Sequence, residues 1–255
     1  MVSTMSATNN QTNNADLQDL FQVGAHFGYS RSRNHPSAKA FIFGYKNRSA
    51  IIDLTKTVAA LERAKQLLQT LASEGKMVLW VATKDEARKL VDRIASDLNL
   101  PWVSLRWLGG TLTNFAQIKS RVDRLAELKT QKERGDWAAF TKKERLLLDR
   151  EIARLERYLS GLSNLIKLPA ALVVVDSNEE HIAVAEAQKM NIPVISLSGS
   201  DCDVSRIDYP IIANDANQES IGFFLQALAG AYQVGRTLAA AQVAVEPAPP
   251  DPANH

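Results

Sequence analysis

The chain has 255 residues and a single cysteine, Cys202. One thiol excludes an internal disulfide and a thiolate metal cluster, and it fits a reducing compartment. No apolar run approaches the ~20 residues that a membrane span needs. The first fourteen residues, "MVSTMSATNNQTNN", lack both an apolar core and arginine, so neither a secretory signal nor a mitochondrial transit peptide is expected. A cytoplasmic protein from a bacterium rather than an organelle fits better. Residues 1–14 and the proline-rich 242–255 read as disordered tails. No G-x-G-x-x-G follows an apolar run, and no P-loop signature occurs. The four histidines, His26, His35, His181 and His255, have no metal-ligand spacing. These absences predict no metal and no cofactor. What is present is an ordinary globular composition, 45% hydrophobic and 23% charged, sufficient for a normal core.

Charge is distributed unevenly behind a net +2. Residues 1–170 hold 27 basic and 17 acidic side chains, whereas residues 171–255 hold 3 and 11. Between Phe21 and Arg48 there are five basic residues and no acid. A basic region set apart from an acidic one points to a polyanion partner on one side, with an unevenly charged solvated surface as the plain alternative.

Periodicity predicts alternating strands and helices. "ADLQDLFQVGAHFG" reads as a short helix with Leu17, Leu20 and Phe21 on one face and Gly24 as its stop. "FIF" and "SAIIDL" flank the turn "GYKNR" as a hairpin. Val58, Leu61, Leu68 and Leu71 mark a helix. "MVLWVAT", "WVSL", "ALVVVD", "IPVISLSG" and "YPIIA" read as strands, separated by helices over 84–98 and 179–190. A final helix spans roughly 218–240. This order implies βαβ units and a parallel sheet covered on both faces. Residues 114–167 break the pattern. Ile118, Val122 and Leu125, then Leu148, Ile152, Leu155, Leu159 and Leu162, form two coiled-coil seams. Thr141 and Glu144 have capping-box spacing at the start of the second helix. The segment therefore reads as an antiparallel helical hairpin inserted into one α/β domain of residues 15–113 and 168–241.

Such a sheet invites an enzyme reading, because ligands of doubly wound folds bind at the carboxyl ends of the strands. Two of those ends are readable. Thr83 with Glu86, and Ser177 with Glu180, have capping-box spacing, and carboxylates there would repel a phosphate. Asp176 is the best lone candidate for a catalytic carboxylate, but no nucleophile or base accompanies it, so a cap or surface role is favoured. "DCD", Asp201 to Asp203, reads as a loop turn before it reads as a cation site. A nucleotide- or metabolite-binding α/β enzyme remains the alternative reading, and a protein-binding coiled-coil adaptor a third.

Three blocks resemble, in order, the signatures of the ribosomal small-subunit protein two family. They are "FQVGAHFGYSRSRNHPSAKAFIFGYKNRSAIIDLTKT", "RWLGGTLTNF" and "LPAALVVVDSNEEHIAVAEAQKMNIPVISL". The likeness runs from about Asp16 to Arg236, with the helical insertion in the expected place. It implies a flavodoxin-like (Rossmann-like) parallel sheet with a protruding coiled-coil hairpin. It also implies a non-catalytic constituent of the small ribosomal subunit that binds small-subunit rRNA and contacts neighbouring small-subunit proteins, among them the mRNA-binding protein S-one. No membrane or small-molecule substrate is expected. The chain departs from the family at Tyr29, where a histidine is usual, at "NHP" (Asn34 to Pro36), and at "GSDCDV" in the late loop.

Phosphate neutralisation governs rRNA binding. The main candidates are Arg31, Arg33, Lys39, Lys46 and Arg48, which lie in loops where guanidinium groups and backbone amides can both reach phosphates. His26 and Tyr29 are candidates for stacking on splayed bases, while Phe27 reads rather as a core anchor for the first helix. Arg106, Thr111 and Asn114 surround the turn at the hairpin root, where Gly109 and Gly110 permit a sharp exit from the sheet and Thr111 or Thr113 would cap the first arm helix. Lys129, Lys132, Arg134, Lys142, Lys143 and Arg145 would place charge at the hairpin tip.

Overall fold

The computed structural model describes residues 17–245. The expected tail over 1–14 and the end of the chain from 246 lie outside the described residues. Residues 17–22 are helical (α1). A small antiparallel sheet follows, in the order β1-β3-β2, from β1 (Phe27–Ser30), β2 (Ile42–Lys46) and β3 (Ser49–Ile52). The expected hairpin is β2–β3. Asn47 (φ 50°) and Arg48 (φ 68°) form its two-residue turn, both in the left-handed region that such turns require. The third strand, β1, pairs with β3. No strand is assigned to "FGYS" from the sequence, which is only four residues long here and contains Gly28 and Ser30.

The remaining elements alternate as α2 (Leu54–Ser73), β4 (Val78–Val81), α3 (Asp85–Asp97), β5 (Trp102–Val103), α4 (Phe115–Arg134), α5 (Lys142–Leu159), β6 (Ala171–Val175), α6 (His181–Lys189), β7 (Val194–Ser198), β8 (Tyr209–Ile212) and α7 (Gln218–Val245). Strands β4 to β8 form one parallel sheet in the order β5-β4-β6-β7-β8. Counted along the chain this is 2-1-3-4-5, a doubly wound, Rossmann-like arrangement. Its three central strands, β4, β6 and β7, are buried throughout, and alternate residues serve opposite faces. Trp80, Val173 and Ile195 face α2, α3 and α7. Leu79, Val81, Leu172 and Val174 face the other layer, where Ala183 and Ala187 of α6 lie. The last helix reaches Val245, so residues 242–245, assigned by sequence to the tail, are helical.

Helices α4 and α5 stand between β5 and β6. Ile118, Leu125, Ile152, Leu155 and Leu159 are buried along their contact, with Val122 and Leu148 half-buried beside them. The seam is continuous with the apolar layer under the sheet. Gly135 (φ 77°) ends α4, and the box of Thr141 and Glu144 starts α5 as expected. Lys129 to Glu156 (2.7 Å) and Lys132 to Asp149 (2.8 Å) bridge the two helices.

Several local expectations fail, and at the two predicted capping boxes the reason is that long-range partners outcompete local ones. The N-cap of α3 is Lys84 rather than Thr83, and that of α6 is Glu180 rather than Ser177, neither with a side-chain cap bond. The Thr83 amide instead donates to the Glu180 carboxylate (2.6 Å), and the Ser177 hydroxyl pairs with Ser198 (3.0 Å). Neither Thr111 nor Thr113 caps α4; its N-cap is Asn114, again with no side-chain bond. Phe27, expected in the core, is 51% exposed, as is Phe21 at 62%.

Candidate nucleic-acid interface

At the carboxyl edge of the parallel sheet, where a doubly wound fold would hold a ligand, charged side chains of the chain pair with one another. The Lys84 ammonium, just beyond β4, lies 3.0 Å from Asp176 at the end of β6 and 3.0 Å from Asp215 beyond β8. Burial alone would lower the Lys84 amine, but Asp215 and Asp176 outweigh it and raise it. Burial likewise opposes ionisation of Asp176, yet Lys84 holds it below its usual value. Asp215 is almost wholly buried, and burial with the nearby Asp176 pushes it up to about 6 despite Lys84. Asp176 is thus a structural ion-pair partner, seated at φ 66° with its Oδ1 accepting the amides of Asn178 and Glu179.

The N-terminal segment closes over this cluster. The Tyr29 amide donates to the Ser200 hydroxyl (2.9 Å), and that hydroxyl donates to Asn34 (2.8 Å). The His35 amide donates to the Ser200 carbonyl, and Asn214 and Asn217 reach back to the carbonyls of Gly24 and Val23. Gly199 leaves no room for a side chain: a Cβ there would sit 2.6 Å from Asp215 Oδ1 and 2.8 Å from the Tyr29 ring.

The "RWLGGTLTNF" turn is organised by Glu186, an inward residue of α6. Its Oε1 accepts the Trp107 indole (3.1 Å) and the Gly110 amide (2.7 Å). Its Oε2 accepts the Leu112 and Thr113 amides (3.0 and 3.2 Å) and the Thr113 hydroxyl (3.1 Å). Burial would raise this carboxyl, but the Gly110 amide and its companions hold it below the usual range. Gly110 adopts φ 94°, so the turn is a backbone nest for an anion, and the anion is the protein's own carboxylate.

The sequence-predicted site residues separate accordingly. Arg31, Arg33, Lys39, Lys46 and Arg48 are all exposed on the small sheet and its loops. Arg31 lies over the Tyr45 ring (5.3 Å) and Arg33 over Tyr29 (4.9 Å). The Arg31 amide donates to the Arg48 carbonyl, which brings Arg31, Lys46 and Arg48 to the hairpin-turn end. His26 does not offer a stacking face. Its ring is buried between Phe21 (4.3 Å, 7°) and Phe27 (4.0 Å, 39°), and burial lowers its pKa. Tyr29 turns its hydroxyl inward, 3.4 Å from Lys84, and burial pushes it up to about 12. Thr111 is fully buried with its hydroxyl donated to the Leu108 carbonyl, so it leaves the surface set. Arg106 and Asn114 are exposed at the arm root.

At the arm, Lys129 and Lys132 are committed to the bridges already described. Arg145 donates to the carbonyls of Phe140 and Ala138 and braces the tip. Arg134, Lys142 and Lys143 are exposed and form no ion pair among the described residues. Sequence reasoning missed Lys84, Asp215 and Glu186. Only Glu186 carried a signal, as a lone acid on the apolar face of "IAVAEAQ". Among the described residues no helix is long and apolar enough to cross a membrane.

Together these features define an α/β protein with an ion-pair cluster at the carboxyl edge of its parallel sheet and with exposed basic groups on an N-terminal sheet and on the helix pair between β5 and β6. A model of the family described as ribosomal protein S2 matches residues 20–235. The chain is 41% identical over 219 residues to the small ribosomal subunit protein uS2 of Nocardia farcinica, covering 86% of this chain and 77% of that one. It is 39% identical over 226 residues to the protein of the same name from Wolinella succinogenes, covering 89% and 83%. The chain belongs to the ribosomal protein S2 family, a family of structural ribosomal proteins rather than enzymes.

Proposed function

We propose that this protein is a structural constituent of the small ribosomal subunit that works in the cytoplasm and holds small-subunit rRNA. The observation that carries the rRNA interface is the exposed basic set Arg31, Arg33, Lys39, Lys46 and Arg48 on a segment with no acid between Phe21 and Arg48. Arg48 supports it further. A non-glycine residue in the left-handed region costs about 1–2 kcal/mol, and such strain clusters at functional positions. The helices α4 and α5 act as a coiled-coil arm, an inserted unit on one flavodoxin-like domain. Arg134, Lys142 and Lys143 supply charge near its tip, and Arg106 and Asn114 touch rRNA backbone at its root. Neighbouring small-subunit proteins, including the mRNA-binding protein S-one, are its protein partners.

The protein should sediment with small subunits and leave them at high salt, because phosphate contacts release counterions. Reversal of Arg31, Arg33 and Arg48 to Glu should weaken that association while the circular dichroism spectrum is retained. Unchanged association of the folded triple variant would refute the assignment of the basic loops. The rival reading, a nucleotide- or metabolite-binding enzyme, requires saturable binding in a calorimetric screen of nucleotides. Lys84, the basic group just beyond β4, is already paired with Asp176 and Asp215, which argues against that reading.

A further inference from the structure

Two of the three guanidinium–ring contacts among the described residues fall between positions 29 and 45. Arg31 lies over Tyr45 at 5.3 Å, and Arg33 over Tyr29 at 4.9 Å. Such contacts occur about once per 70–80 residues, so two in so short a stretch are a local concentration. Neither guanidinium forms an ion pair among the described residues, and no acid lies between Phe21 and Arg48 in the chain. A ring covers only a face of a guanidinium. The N–H groups, which point outward in its plane, stay available to a ligand.

Arg31 is held at both ends. Its amide donates to the Arg48 carbonyl (3.1 Å), and its guanidinium rests on Tyr45. Tyr45 is tied in turn to the body of the protein. Its hydroxyl accepts from the Asn34 amide nitrogen (3.4 Å), and the Asn34 carbonyl oxygen accepts from the Ser200 hydroxyl (2.8 Å). Ser200 is fully buried just beyond β7. A long side chain that grips a phosphate loses rotamer freedom on binding. For Arg31 part of that ordering is already present in the free protein.

We infer that Tyr45 is a positioning residue of the rRNA interface: its ring holds the Arg31 guanidinium in place for a backbone phosphate. Tyr45 acts through Arg31 and not through a base. The inference rests on the rRNA-binding function proposed above and gives a role to a residue outside its basic set.

The test uses small subunits washed free of this protein at high salt. The full chain is re-bound to them, and sedimentation gives the affinity across a potassium chloride series. Tyr45→Leu should weaken association about 2- to 12-fold, the range for ordering one long side chain. Tyr45→Phe keeps the ring and should hold the parent affinity. Tyr45→Leu should leave the slope of log K against log salt unchanged, because Arg31 still neutralises its phosphate, whereas Arg31→Ala should flatten it by about one. In the Arg31→Ala background, Tyr45→Leu should cost nothing further, because the pair acts as a unit. Tyr45 is 46% exposed, so its variants should fold as the parent does, which circular dichroism checks.

Parent affinity in Tyr45→Leu overturns the inference, as does a loss in Tyr45→Phe equal to that in Tyr45→Leu. Equal losses from Tyr45→Leu with and without Arg31 also overturn it, since the ring would then touch RNA itself or merely brace the sheet. If Arg31→Ala weakens association while Tyr45→Leu does not, the positioning role falls and the basic interface stands. If the chain does not re-bind small subunits at all, both fall.

Discussion

Glu186 accepts more hydrogen bonds through its side chain than any other carboxylate among the described residues, and replacing it with alanine tests its role in holding the turn before α4. Five donors converge on its two oxygens. Those of Gly110 and Thr113 lie where water can take over. The Trp107 indole and the Leu112 amide are buried, and each orphaned donor of that kind costs about 1–3 kcal/mol. With the cavity left by the side chain, Glu186→Ala should lose about 3–5 kcal/mol in urea unfolding, a large share of the 5–15 kcal/mol typical of a domain. Glu186→Gln keeps one acceptor but turns an NH2 toward N–H donors, and should lose about 2–3 kcal/mol. Amide exchange at Gly110, Leu112 and Thr113 should accelerate in both variants. The folded-state pKa of Glu186 is depressed, so its contribution is present above the unfolded value of about 4.3 and is lost as pH falls through the folded value. The gap between the parent and Glu186→Ala should therefore narrow as pH falls below the unfolded value, by the part that ionisation contributes. A loss under 1 kcal/mol at pH 7, or unchanged exchange at the three amides, would refute the reasoning.

Other perturbations follow from the same structure. Lys84→Ala leaves Asp176 and Asp215 facing each other without a cation and should cost about 3–5 kcal/mol in urea unfolding. Asp215 has a raised folded pKa, so its contribution is present below the unfolded value of about 3.9 and is lost as pH rises through about 6. Asp215→Asn should remove the part of the pH dependence of the urea midpoint that lies between pH 4 and 7. Gly199→Ala would press on Asp215 and Tyr29 and should cost about 1–3 kcal/mol in thermal or urea unfolding. Arg48→Gly relieves the left-handed strain and should raise stability by about 1 kcal/mol, yet weaken subunit association in a salt-dependent way.

The parallel sheet was legible because a strand buried on both faces must be an unbroken apolar run, as "ALVVV" is, and because the helices between carry a single apolar stripe. Helices α4 and α5 were legible from their two apolar seams. What escaped was whatever depends on partners far along the chain. Thr83 and Ser177 have the local grammar of caps, yet Glu180 and Ser198 claim them. Lys84 looks like any surface lysine until the strand order brings Asp176 and Asp215 to it. Phe27 looks like an anchor because exposure of an aromatic ring has no sequence signature. The basic stretch of the candidate interface was readable from composition alone. The burial of His26, the inward hydroxyl of Tyr29 and the buried Thr111 required the fold.

The clasp between the N-terminal segment and the far ends of the sheet also has a meaning in time. Its bonds join residues 165 to 194 positions apart, from His35 with Ser200 to Val23 with Asn217. At about 5–20 residues per second, a ribosome making this chain needs roughly 10–40 s to travel that distance. Throughout that interval β1 and its neighbours have emerged but lack the surface on which they are seated. The basic face of the molecule is thus the first part to be synthesised and among the last to be set in place. A truncated chain ending before residue 200 carries every arginine of that face without the bonds that hold it in position.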